Sequence, residues 1–127
     1  MADAEKLLFT FGPFGVSDCE GPYGVFRWQK NNVTRVELTD RCIRGVLTRG
    51  LSFIGRKPPA GSPSFEIPYT AIVSFELTPH PAHLGVQQVL GIKYRDGDRI
   101  RERSIAAYND PAREAFALLL RFAPPSA

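Results

Sequence analysis

Apolar and polar residues alternate in short runs along much of this chain, and each run is cut off by turn residues. In "VTRVELTDRCIRGVL" (33–47), Val36 and Leu38 alternate with Arg35 and Glu37, and then Ile43 and Leu47 alternate with Arg44. A period of two sends neighbouring side chains to opposite faces of a strand. The break Thr39-Asp40-Arg41 predicts a hairpin in which Asp40 bonds the turn amides. An even-length loop pairs Leu38 with Ile43 and Val36 with Gly45, which keeps the apolar set together. A slip by one residue would set Leu38 against Arg44, so the register is well specified.

Elsewhere the pattern is more broken. "KLLFTF" predicts a strand that runs into a turn, and "GVFRWQK" (24–30) a strand ended by Asn31-Asn32. Between them, "GPFGV" (12–16) and "GPYGV" (21–25) carry turn chemistry, so 12–24 reads as a polar loop with two tight bends. Its aromatics Phe14 and Tyr23 either cap one end of a core or offer exposed hydrophobic contacts. "RKPPAGSP" (56–63) and "TPHPAHLG" (78–85) read as loops. "FEIPYTAIVSFEL" predicts a short strand, a turn at Pro68-Tyr69-Thr70 and a strand near 71–77.

"VLGIKYRDGDRIRERSI" contains Asp96-Gly97, a strong hairpin signal. A two-residue loop at 96–97 would set Ile92 against Arg101. A loop of Arg95-Asp96-Gly97 with Gly97 left-handed pairs Ile92 with Ile100 instead, and places Lys93 opposite Arg99. That register leaves Glu102 unexplained on the apolar face, opposite Leu90. The chain closes with a helix: Asp110 is the expected N-cap and Pro111 suits the first turn. Ala112, Ala115, Phe116, Leu119, Phe122 and Ala123 form an apolar stripe, and Pro124-Pro125 end it.

Composition narrows the class. A chain of 127 residues, 43% hydrophobic and 23% charged, suits one globular domain over 1–127 that folds without staples. Cys19 and Cys42 are too few for a disulfide framework and read as reduced thiols. The N-terminus does not read as a signal peptide, and no apolar run approaches the ~18–20 residues of a membrane span. The expectation is a soluble, cytoplasmic protein. Residues 1–26 carry four acids against Lys6, so the remaining chain holds more than the whole net charge of +3.

The order of these elements resembles the pleckstrin-homology-like domains of the GRAM and bacterial type. "VELTDRCIRGVL" is similar to that family's strand-turn-strand, "FEIPYTAIVSFEL" to its next bent segment, and the closing hairpin with "DPAREAFALLL" to its C-terminal elements. The resemblance covers about residues 33–123 and departs in 1–32 and at Cys42. It implies a mainly β fold, a partly open seven-stranded antiparallel barrel capped by the helix, and a binding role without catalysis. It does not carry over the phosphoinositide head-group site, because the corresponding region holds Asp18 and Glu20.

Chemistry-bearing motifs are sparse. His80 and His83 have no acid or thiol beside them in the sequence, so neither a metal nor a cofactor is expected. Cys42 beside Arg41 and Arg44 reads as a small strand residue before it reads as an acidified thiol. The feature with functional content is a row of cations. Lys93, Arg99, Arg101 and Arg103 are expected on one outward face, with Arg95 at the tip and Glu76 nearby to neutralise part of it. Five cations near an anionic bilayer contribute roughly 5 kcal/mol, a weak attachment to the inner face of a membrane. The leading expectation is a non-enzymatic module that docks a protein partner, its own copies or an anionic membrane surface, with protein recognition favoured. A barrel holding a small apolar ligand is the alternative, and a single-stranded nucleic-acid binder is disfavoured.

Overall fold

A computed structural model describes residues 4–12, 16–23, 35–46 and 63–123. The expected strand at 24–30, Phe14, Leu47, Pro124-Pro125 and most of the 56–63 loop lie outside the described residues.

The chain is mainly β with one C-terminal helix. Its strands are β1 (Leu7–Phe11), β2 (Ser17–Glu20), β3 (Arg35–Thr39), β4 (Cys42–Val46), β5 (Pro63–Pro68), β6 (Ile72–Pro79), β7 (Gln87–Asp96) and β8 (Arg99–Tyr108). The helix α1 spans Asn109–Phe122. Two antiparallel four-stranded sheets form, ordered β1-β3-β4-β5 and β2-β8-β7-β6. Among the described residues no strand pairing closes them into a barrel. Along the described strands the chain changes sheet three times, from β1 to β2, back from β2 to β3, and through a short 3₁₀ turn, Tyr69–Ala71, between β5 and β6.

The first hairpin has the expected register, with Leu38 opposite Ile43 and Val36 opposite Gly45. Its turn is held by a different residue. Thr39 Oγ1 accepts hydrogen bonds from the amides of Arg41 and Cys42, both at 3.0 Å. Asp40 instead accepts from the Lys6 amide at 3.1 Å, tying β1 to the turn. The bend at 68–71 is anchored to the same place, since Tyr69 donates its hydroxyl to the Thr39 carbonyl at 2.6 Å.

The second hairpin departs from both expected loops. Asp96 pairs with Arg99, so the loop is Gly97-Asp98. Gly97 has φ +63° while Asp98 stays out of the left-handed region, the pattern of a two-residue turn with glycine first. Relative to the three-residue loop this register moves by an odd number of residues, so the β8 side chains exchange faces while those of β7 keep theirs. Leu90 now opposes Ile105 on the core side, and Glu102 opposes Lys93 on the other. The second correction explains the first. "SDCE" is not loop but β2, which pairs with β8 from Ser17 opposite Ala106 to Glu20 opposite Arg103. Three polar residues around one cysteine carry no strand signal of their own; tertiary pairing overrides propensity here.

Leu38, Ile43 and Ile67 of one sheet, Leu90, Ile92 and Ile105 of the other, and Leu119 of the helix are each no more than 1% exposed and belong to one apolar cluster. The helix lies against β6, β7 and β8. Phe116 meets Phe75 edge-on at 5.4 Å, and Phe122 stacks on Tyr69 at 5.6 Å. The helix starts one residue before Asp110, with Tyr108 as N-cap and no side-chain cap bond, so Asp110 sits in the first turn instead. No helix among the described residues is long and apolar enough to cross a membrane.

Helix docking has a direct test. Leu119→Ala removes a fully buried side chain at the junction of helix and sheets and is expected to cost about 2–5 kcal/mol. Leu120 is 63% exposed, and its replacement by alanine is expected to stay within about 0.5 kcal/mol. Urea denaturation of both variants checks the contrast.

Candidate functional site

The row of cations does not share a face. Lys93 and Arg95 stand opposite Glu102 and Ile100, whereas Arg101 and Arg103 stand opposite Tyr94 and Ile92 on the core-side parity, as does Arg99. Two of the five are already neutralised. Arg101 bonds Glu20 and, at 2.8 Å, Asp96, and these partners push its pKa up. Arg103 bonds Asp18 at 2.9 Å with its guanidinium 5.0 Å from the Phe65 ring centre. The Asp18 carboxylate is almost wholly buried, and burial raises its pKa against the pull of Arg103. The counter-charges come from Asp18 and Glu20 of β2 and from Asp96 of β7 rather than from Glu76, which makes no ion pair among the described residues. Lys93, Arg95 and Arg99 are left exposed and form no ion pair among the described residues.

The outer face of the first sheet holds a second polar cluster. Glu37, Arg44 and Glu66 stand in cross-strand register. Arg44 reaches Glu37 at 2.9 Å, Glu5 at 3.0 Å and Glu66 at 3.7 Å. Glu5 also accepts from the Thr39 hydroxyl at 2.6 Å and the Cys42 thiol at 3.2 Å, and those bonds, with Arg44, hold its pKa below the usual range. A thiol beside a carboxylate can resemble a reaction centre. Here burial, reinforced by Glu5, pushes the Cys42 thiol up to about 11, and a protonated thiol is a poor nucleophile. The cluster is a clasp that pins the N-terminal segment to β3 and β4. Cys19 and Cys42 are both buried and lie in different sheets.

The outer face of the second sheet carries a hollow of about 290 Å³. Gly91, opposite both Glu76 and Ser104, forms part of its lining. A glycine inside a strand leaves space where something else can approach the backbone. Tyr23 and Pro22 line the hollow, as do Pro79 and Pro81. Around the point where a Gly91 Cβ would stand, Glu76 Oε1 and Glu102 Oε2 both lie at 4.0 Å. Neither carboxylate makes an ion pair among the described residues, and Lys93, although opposite Glu102, bonds neither.

Tyr23 is thus placed on the outside of the second sheet and not at the end of the core. Its hydroxyl shares a 2.9 Å hydrogen bond with Ser17 and its ring meets His80 edge-on at 5.0 Å. Ser104 supports the same segment by donating to the Gly21 carbonyl at 2.7 Å. No group of three or more His, Cys, Asp or Glu side chains gathers as metal ligands among the described residues. No family model matches the chain, and no curated protein matches it in sequence.

Arg103 tests the placement of the cations. Asp18→Ala leaves a guanidinium only 14% exposed without its carboxylate and is expected to cost about 3–5 kcal/mol. The double variant Asp18→Leu/Arg103→Met should recover most of that loss. Arg95→Ala and Arg99→Ala should each change stability by less than about 0.5 kcal/mol. Equilibrium denaturation of the four variants gives the comparison.

Proposed function

We propose that this chain is a non-enzymatic binding module of the pleckstrin-homology-like kind, its two sheets and helix corresponding to the partly open barrel of that fold. On this reading it docks a protein partner on the outer face of its second sheet, and a lysine or arginine side chain of the partner enters the hollow over Gly91. One observation carries the reading: two carboxylates that form no ion pair among the described residues converge on a concave site, with Lys93 beside them but bonded to neither. Like charges held together repel, and a cation between them relieves that cost. Tyr23 adds an aromatic wall of the kind on which a cationic head group rests favourably. At about 290 Å³ the hollow lies at or below the range of roughly 300–1,000 Å³ that holds a drug-sized ligand, which favours one side chain over a cofactor.

The membrane reading weakens by its own arithmetic. With Arg101 and Arg103 engaged internally, three cations remain, worth about 3 kcal/mol at an anionic bilayer. That is weaker than a millimolar complex, which needs about 4 kcal/mol. The small apolar ligand loses ground too, because the interior is occupied by Leu38, Ile43, Ile67, Ile92 and Leu119.

A labelled peptide bearing one arginine among glycines and prolines, and its citrulline counterpart, test the reading by NMR titration. The arginine peptide is expected to bind with a Kd near millimolar and to shift Gly91, Glu102 and Tyr23, while the neutral peptide binds at least about tenfold more weakly. Glu76→Gln/Glu102→Gln should abolish the difference. Equal binding of both peptides, or sedimentation of the protein with anionic vesicles at physiological salt, counts against it.

A further inference from the structure

We propose that His80 is a pH-operated latch on the loop that walls the hollow: the neutral imidazole holds the loop closed and the imidazolium releases it. The regulatory consequence rests on the reading above; the latch itself does not. His80 sits between Pro79 and Pro81, both of which line the hollow, and is 4% exposed. Its Nδ1 accepts two backbone hydrogen bonds, from the Ala82 amide at 3.0 Å and the His83 amide at 3.2 Å. The backbone of the same residue ties both ends of the loop, donating to Gln87 O at 3.1 Å and accepting from His83 N at 3.3 Å. The loop is thus organised around one side chain that can lose its capacity to accept.

An imidazolium carries a proton on both nitrogens and accepts nothing. Protonation at Nδ1 would turn two hydrogen bonds into donor-against-donor contacts: the His83 amide keeps its 3.3 Å bond to the His80 carbonyl, whereas the Ala82 amide loses the acceptor it has at Nδ1. Nothing nearby compensates. The titratable groups facing His80 are His83, with ring centres 4.7 Å apart, and Tyr23, whose hydroxyl bonds Ser17. No carboxylate lies within ion-pair distance of His80 among the described residues. Burial and the neighbouring His83 both lower the His80 pKa.

The sign follows from the lowered pKa. An unfolded or released loop takes up a proton near the ordinary histidine value of about 6.5, whereas the closed loop resists it. Closure is therefore fully stabilised above about pH 6.5 and weakens as pH falls below that value. Release would move Pro79, Pro81 and the edge contact on Tyr23, which are walls of the hollow, and would free the exposed Leu84 and Val86 of the same loop.

Amide hydrogen exchange on the full chain between pH 7.5 and 5.5, corrected for intrinsic rates, tests the latch. Protection at Ala82 and His83 is expected to fall by about tenfold for each pH unit once His80 begins to resist protonation, while Ile92 stays protected. His80→Asn places a non-titrating acceptor where Nδ1 stood, as asparagine does in turns, and should make that protection independent of pH. His83→Gln removes one of the two influences that lower the His80 pKa and should make the loss of protection at low pH smaller than in the wild type. An unchanged pH response in His80→Asn, or protection at Ala82 and His83 that does not vary in the wild type, overturns the latch. If the amides respond as expected but the arginine peptide binds at no pH, the latch stands and the reading of the hollow fails.

Discussion

The Gly97-Asp98 turn decides which side chains this protein turns to water. Because it closes the β7–β8 hairpin with two residues, Leu90 faces Ile105 and Ile92 faces Arg103 on the inner side, while Gly91 faces Ser104 and Lys93 faces Glu102 on the outer side. A shift by one residue would exchange the two sets. Two dependencies hold the register in place. Leu90, Ile92 and Ile105 must reach the core shared with the first sheet and with Leu119, and Arg101 and Arg103 must reach the carboxylates of β2.

The two outer faces then differ in how their charge is settled. On the first sheet Arg44 is surrounded by Glu5, Glu37 and Glu66, and the N-terminal segment is bound into the arrangement. That face is internally satisfied, and its thiol is held protonated. On the second sheet Glu76 and Glu102 converge over a glycine, between Tyr23 and two prolines, and form no ion pair among the described residues even with Lys93 opposite Glu102. That unmet charge is what the proposed reading assigns to a partner. His80 stands behind the wall of that concavity, with its Nδ1 accepting two amides of the loop.

Much of the fold was legible, and the reasons are local. Strict alternation through Val36, Leu38 and Ile43 admits one register, and the structure has it. The stripe from Ala112 to Ala123 reads as a helix because its period can mean little else. The second hairpin misled because Ile92 opposite Ile100 satisfies the apolar pattern locally, and its cost appears only when β2 is in place. Ser17-Asp18-Cys19-Glu20 gives no sign of being a strand until β8 lies beside it. Asp40 and Thr39 are both good turn residues, and only geometry assigns the cap to Thr39. The hollow was beyond reach for a different reason. Gly91 looks like any strand residue, and Tyr23, Pro79 and Glu102 are far apart in the chain.

The pairing of β7 with β8 is therefore the point on which the account turns, and the cross-strand nuclear Overhauser contacts of the hairpin measure it directly. The account predicts contacts that join Gly91 to Ser104 and Lys93 to Glu102, with Gly97 and Asp98 alone in the turn. Contacts that join Ile92 to Ile100 would contradict it, since Glu102 would then leave the outer face and the arginines would lose their partners on β2.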